Sequence, residues 1–157
     1  MIKRSEYLGV GLAVCLMMAA GMAQAQEDTE ASLYDRLGGL APITVVVSDF
    51  IDILLVDDVI NANPAVNKAR ERVPAPYLKY RVTSLVCQAT GGPCEYKGRS
   101  MYEAHAHLDI TEAEWDHMVM LFTELLDEHG VPDQETQELL AIIGSTKGEI
   151  VTAEGGS

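Results

Sequence analysis

The run Gly91-Gly92-Pro93-Cys94-Glu95-Tyr96-Lys97-Gly98-Arg99-Ser100-Met101-Tyr102-Glu103-Ala104-His105 holds the residues best placed to do chemistry. A glycine pair ends one helix, because glycine takes the left-handed backbone of a helix exit without steric cost. Ser100 followed by Glu103 reads as a capping box that opens a second, short helix. His105 lies five positions beyond the cap. The result is a single imidazole on a well-delimited helix, the way a haem iron would be held from one side.

Other arrangements offer less. His105 and His107 are two positions apart and point to nearly opposite sides of a helix, so they cannot chelate one ion. His117, beside Asp116, and His129, near a helix end where the dipole favours a cation, read as structural. Gly91-Gly92-Pro93 lacks the strand and the Lys-Ser/Thr of a phosphate loop. No Ser-His-Asp or Cys-His nucleophile arrangement emerges.

The elements that must position His105 are helical. Residues 26–31 are polar and acidic and read as a flexible leader. Residues 32–37 form a short helix closed by Gly38-Gly39. Residues 41–59 are apolar and β-branched, but their length and the polar entries at Ser48, Asp52 and Asp57-Asp58 favour a long buried helix, with Pro42 in its first turn. Residues 61–76, broken by Asn63-Pro64 and Pro74-Ala75-Pro76, read as loop. From 77 to 90, Leu78, Val82, Leu85 and Val86 share one helical face. Thr111 and Glu114 form a second capping box, opening a helix over 112–129 around Trp115, Val119, Phe122 and Leu126. Gly130 and Pro132 precede a last helix with Leu139, Leu140, Ile142 and Ile143, and the end from Thr152 looks frayed. The expectation is an all-α domain of five or six helices over 32–152, with 153–157 as a tail.

The 157 residues carry 11 Lys and Arg against 24 Asp and Glu, a net charge of −13. So acidic a chain would repel nucleic acid and anionic lipid. Lys3 and Arg4, the apolar run 10–22 and Ala23-Gln24-Ala25 read as a secretory signal cut after Ala25. The run is shorter than the roughly 20 residues of a membrane span. Export and a periplasmic location are therefore expected, with no membrane attachment after processing. Cys15 would leave with the signal. Cys87 and Cys94 would remain, an even count that in an oxidising compartment points to a disulfide.

The spacing Gly-Gly-x-x-x-Tyr-x-Gly-Arg-x-Met-x-x-Ala-His, together with Leu33-Tyr34-Asp35-x-Leu-Gly-Gly, Asp49-Phe50, Leu55-Val56-Asp57-Asp58 and Gly130-Val131-Pro132, resembles the truncated haemoglobins, most of all their first group. The resemblance runs over nearly the whole of 32–151. It implies a truncated globin-like two-over-two helical sandwich around one b-type haem, with iron on His105. It also implies Phe50, Leu78, Val82, Val86 and Met101 against the haem, and Arg81, Tyr96 and Arg99 toward its propionates.

The departures lie on the distal side. Where the family usually has a tyrosine that donates a hydrogen bond to dioxygen, this chain has Ile51. Asn63 and Pro64 stand where aromatics are expected, and Leu78 and Val82 where many relatives carry glutamine or histidine. A distal pocket of Ile51, Leu78 and Val82 offers no donor, so weak dioxygen retention and easy autoxidation follow unless Tyr77 or Arg81 swings in. The resemblance thus implies a haem protein that binds a diatomic gas, dioxygen or nitric oxide, as carrier, scavenger or sensor. The alternatives are a nitric oxide dioxygenase or peroxidase-like enzyme on the same haem, with a reductase as partner, and a helical binding module that has lost haem.

Overall fold

The structure is a computed structural model and describes residues 30–153. The expected signal, most of the leader and the last four residues of the tail lie outside the described residues.

Four longer helices carry the architecture: α2 (Leu40–Val56), α5 (Ala75–Ala89), α7 (Glu112–Glu128) and α8 (Asp133–Gly144). Shorter ones connect or flank them: α1 (Leu33–Arg36), α3 (Asp58–Ala62), α4 (Pro64–Arg70), α6 (Met101–His105) and α9 (Lys147–Ile150). A 3-10 turn, Ala106–Leu108, continues α6. The helices α2 and α5 form one packed pair, α7 and α8 the other, and α2 also lies against α7. Among the described residues the only β feature is an isolated parallel bridge between Ile110 and Val151.

The ends of these helices follow from their sequences. Helix α5 closes with the amides of Gly91 and Gly92 bonded back to the carbonyls of Gln88 and Cys87, at 3.1 and 2.8 Å. This paired closure needs a left-handed residue, and Gly91 supplies it with φ +88°. Gly130, at φ +67°, closes α7 in the same way. Both expected capping boxes are formed, Ser100 with Glu103 and Thr111 with Glu114.

The stretch 57–76 corrects the expectation. The long helix ends at Val56, not at residue 59, because Asp57 turns extended and its carboxylate accepts the amide of Ile60 at 2.8 Å, starting α3. The predicted loop at 61–76 is helical over residues 61–62, over Pro64–Arg70 and again from Ala75. Asn63 caps α4, with Pro64 in its first turn, where a missing amide hydrogen costs nothing. Asn63-Pro64 is thus a helix start rather than a helix breaker. The far end is also more ordered than expected, since the amides of Thr152 and Ala153 both bond to the carbonyl of Ile110 at 3.1 Å.

Two apolar clusters make the core. In one, Phe50 and Phe122 meet edge to face with ring centroids 4.9 Å apart, among Leu33, Leu125, Leu126 and Leu139. In the other, Ile43, Val47 and Ile51 of α2 pack against Leu78, Val82 and Val86 of α5. The first cluster holds the two helix pairs together. Phe122→Ala should therefore lower the unfolding free energy by about 3–5 kcal/mol in a urea titration. Val45→Ala, at a site 53% exposed, should leave the midpoint nearly unchanged.

Candidate functional site

His105 ends α6, and its Nδ1 lies 2.9 Å from the carbonyl oxygen of Met101. A carbonyl can only accept, so Nδ1 carries the proton and Nε2 keeps a bare lone pair. This is the tautomer a metal ligand needs, with its ring oriented by a backbone carbonyl. Partial burial is the main cause that pushes the imidazole pKa below its usual 6.5; the Met101 bond opposes it, and His107 and Arg99 add to it. The ring therefore stays neutral, with its lone pair free, at neutral pH.

A five-residue helix needs outside support. The carboxylate of Glu103 accepts the Ser100 amide at 3.0 Å, while the Ser100 hydroxyl accepts the amide of Glu103 at 3.2 Å. The amide of Tyr102 donates to Glu149 at 3.1 Å, tying α6 to α9. Upstream, the loop from α5 is laced back along α5. Cys87, fully buried, is bridged to Cys94 with Cα atoms 5.7 Å apart, as expected from the even cysteine count. The amide of Tyr96 donates to Gln88 at 2.6 Å. Gly98 lies under the Tyr96 ring, where a Cβ would collide with it.

On α2 and α5 the three residues expected to form the distal pocket come together. Ile51, 4% exposed, packs in one cluster with Leu78 and Val82, and Val86 joins them. Phe50, one residue earlier, turns instead into the other cluster with Phe122. Tyr77 is half exposed, and the Arg81 guanidinium lies 5.0 Å from its ring centroid and 5.8 Å from that of Tyr80. Both groups that could have entered the pocket are thus engaged with each other at its edge. Met101, half-buried, lies on α6 with His105. The Tyr96 hydroxyl donates to the carbonyl of Arg99 at 3.0 Å, so its proton anchors the loop. Arg99 is exposed.

Do these residues fit a haem? The Nε of Arg81 is buried and finds no hydrogen-bond partner among the described residues. The Nε of Arg36 shares this condition, and each leaves a donor free for an anionic or polar partner. A propionate would be such a partner. Among the described residues no three His, Cys, Asp or Glu side chains could together hold a metal ion. One imidazole, an apolar wall and a cation awaiting an anion suit an iron already held by a porphyrin.

Comparison with known proteins agrees. The family model described as bacterial-like globin matches residues 32–152. This chain is a bacterial-like globin of the truncated, two-over-two kind. It is 29% identical to the group 1 truncated hemoglobin GlbN of Mycolicibacterium paratuberculosis over 136 residues, covering 86% of this chain and 95% of that one. To the group 1 truncated hemoglobin GlbN of Synechocystis it is 31% identical over 120 residues, covering 73% and 90%. The fold superposes on the truncated hemoglobin of Tetrahymena pyriformis in its Fe(III) form with a TM-score of 0.68 at 23% identity, over 77% of this chain and 98% of that one. The 2/2 hemoglobin of a Synechococcus species, solved in the cyanomet state with covalently attached heme, gives a TM-score of 0.68 at 25% identity, again over 77% and 98%. Membership in this family implies gas binding on haem.

Two other histidines of this globin are paired structurally. His117 Nε2 meets Asp57 at 3.0 Å, joining α7 to the start of α3. Partial burial would raise the Asp57 pKa, but hydrogen bonds from His117 and the Ile60 amide outweigh it and hold the carboxyl below its ordinary value. His129 meets Asp49 at 3.1 Å. His107 is exposed. Asn63 is the residue that sequence reasoning missed. It is 9% exposed, and its Nδ2 donates to the carbonyl of Leu108 at 2.9 Å. The Asn-Pro pair marks its capping role in the sequence, but nothing local marks the reach across 45 positions.

Two measurements follow from this geometry. Replacing both Cys87 and Cys94 by alanine should lower stability by ~2–3 kcal/mol on the chain-entropy account, read from urea midpoints with and without reductant. The second concerns pH. A histidine whose folded pKa is depressed binds fewer protons folded than unfolded, so stability is complete above the unfolded value of 6.5 and declines as pH falls toward the folded one. The haem-free protein should therefore lose stability as pH drops below about 6.5, and His105→Leu should remove that component from the pH–stability curve.

Proposed function

We propose that this globin binds haem b through Nε2 of His105 and takes up a diatomic gas, dioxygen or nitric oxide, on the side of Ile51, Leu78 and Val82. It would act as a carrier, scavenger or sensor rather than as an enzyme. The observation that carries the reading is the His105 Nδ1 to Met101 bond, which orients the ring and frees the opposite nitrogen. Haem, when bound, would supply an iron able to bind a diatomic gas. The chain's own residues then set what that position retains.

Arg81, through its unpaired Nε, and the exposed Arg99 would offer hydrogen bonds to the propionates. Ile51, Leu78 and Val82 exclude water and offer the gas no hydrogen-bond donor. A dioxygen ligand draws negative charge and is held by such a donor; carbon monoxide and nitric oxide depend on one less. This weakens the dioxygenase reading, which needs long dioxygen retention. Peroxidase-like chemistry needs a distal acid–base group, and the pocket residues supply none. The Cys87–Cys94 bridge supports an oxidising compartment, in keeping with export to the periplasm.

The test is haem titration of the purified chain beside His105→Ala. Wild type should take up one haem and give a ferrous–CO spectrum that the variant loses or alters. No stoichiometric uptake by wild type would sink the proposal. Ile51→Tyr should slow dioxygen dissociation by about ten- to a hundredfold, the worth of one charge-assisted hydrogen bond.

A further inference from the structure

We propose that Asn63 is a positioning residue for His105, acting across the molecule through the turn that follows α6. This rests on the reading of His105 as the iron ligand. The side-chain amide is used on both sides. Its Oδ1 accepts the amides of Ala65 and Val66 at 2.9 and 3.3 Å, and its Nδ2 donates to the carbonyl of Leu108 at 2.9 Å. Only one amide orientation satisfies all three, since backbone amides need the oxygen and the carbonyl needs the NH₂.

The place of this bond gives it leverage over the imidazole. His105 is where the helical backbone changes course, at φ −122°, ψ −26°, between α6 and the 3-10 turn. The direction of the ring is therefore set by where those two pieces are held. Helix α6 is held by its capping box and by Glu149. The turn is held at Leu108 by Asn63 and, two residues on, by the bridge of Ile110 to Val151. Between those two ties lies Asp109, at φ +51°. Aspartate tolerates that region better than most non-glycine residues but still at a cost, which the ties on either side offset. With the Asn63 bond gone, one side of that constraint is gone as well, and the backbone at His105 is free to relax toward the helix.

Capping and positioning can be separated by choice of substitution. Asn63→Asp and Asn63→Ser both keep a side-chain acceptor for the α4 amides. The aspartate sets an oxygen against the Leu108 carbonyl, and the serine is too short to reach it. Three quantities are compared with wild type: haem transfer to a scavenging globin, the iron–histidine stretching band of the ferrous form, and amide exchange at residues 106–110 of the haem-free chain. Both variants should release haem about three- to tenfold faster, as loss of one hydrogen bond predicts. They should also shift the iron–histidine band and exchange these amides faster, with the helical content of α4 retained. Wild-type haem release and an unshifted band in both variants would overturn the proposal and leave Asn63 a cap alone. Absence of haem uptake by wild type would overturn this proposal together with the functional reading beneath it, and is recognised before any variant is compared.

Discussion

An isolated helix as short as α6 has almost no stability of its own, because nucleation costs several ordered residues for one hydrogen bond. Yet His105, the proposed iron ligand, sits at its end with its ring bonded to the carbonyl of Met101. Much of the neighbouring structure answers that constraint. The capping box satisfies the first amides of α6, and Glu149 takes another from the side of α9. The loop before it is bonded to α5 at Cys87 and Gln88, so the start of α6 inherits the rigidity of a fifteen-residue helix. The turn after it is bonded to Asn63 and Val151. The ring is held by its neighbours more than by its helix.

The same logic explains where this acidic chain places its polar interactions. The clusters on either side of α2 are apolar, and the polar groups that join α2 to its partners lie at the rim. Lys79 of α5 reaches Ser48 and Asp52 of α2, and His129 reaches Asp49. None of these groups enters the cluster of Ile51, Leu78 and Val82. An isoleucine at position 51 removes a hydroxyl that would need a partner whenever no ligand was present. Ile51, Leu78 and Val82 themselves carry no hydrogen-bond donor, and the Arg81 guanidinium lies against the rings of Tyr77 and Tyr80.

Much of this was legible in the sequence wherever the signal is local. Ser100–Glu103 and Thr111–Glu114 are reciprocal pairs at fixed spacing, and both form. The glycine pair after α5 and the helical stripe of Leu78, Val82 and Val86 are equally local, and the two remaining cysteines are close enough in sequence to be paired by count. Residues 57–70 were misread for a physical reason. Asp57 and Asn63-Pro64 interrupt a helix and also start one, and a propensity reading sees only the interruption. The contacts that join distant segments, His117 with Asp57 and Asn63 with Leu108, leave no trace in local pattern.

Asn63 also bears on the gravest departure from the family pattern. An aromatic is expected near that position, and its absence is the best sequence argument that haem has been lost. The structure shows the position filled by a buried amide that makes three hydrogen bonds, one of them on the turn beside His105. The bond spans 45 positions of sequence and ties the substituted position to the turn that follows His105. The guanidinium nitrogen of Arg81 is likewise buried without a partner among the described residues, as is that of Arg36, so each retains a free donor. The lost aromatic is thus replaced by a polar tie between α4 and the turn after α6, which holds those two segments in place without help from a ring.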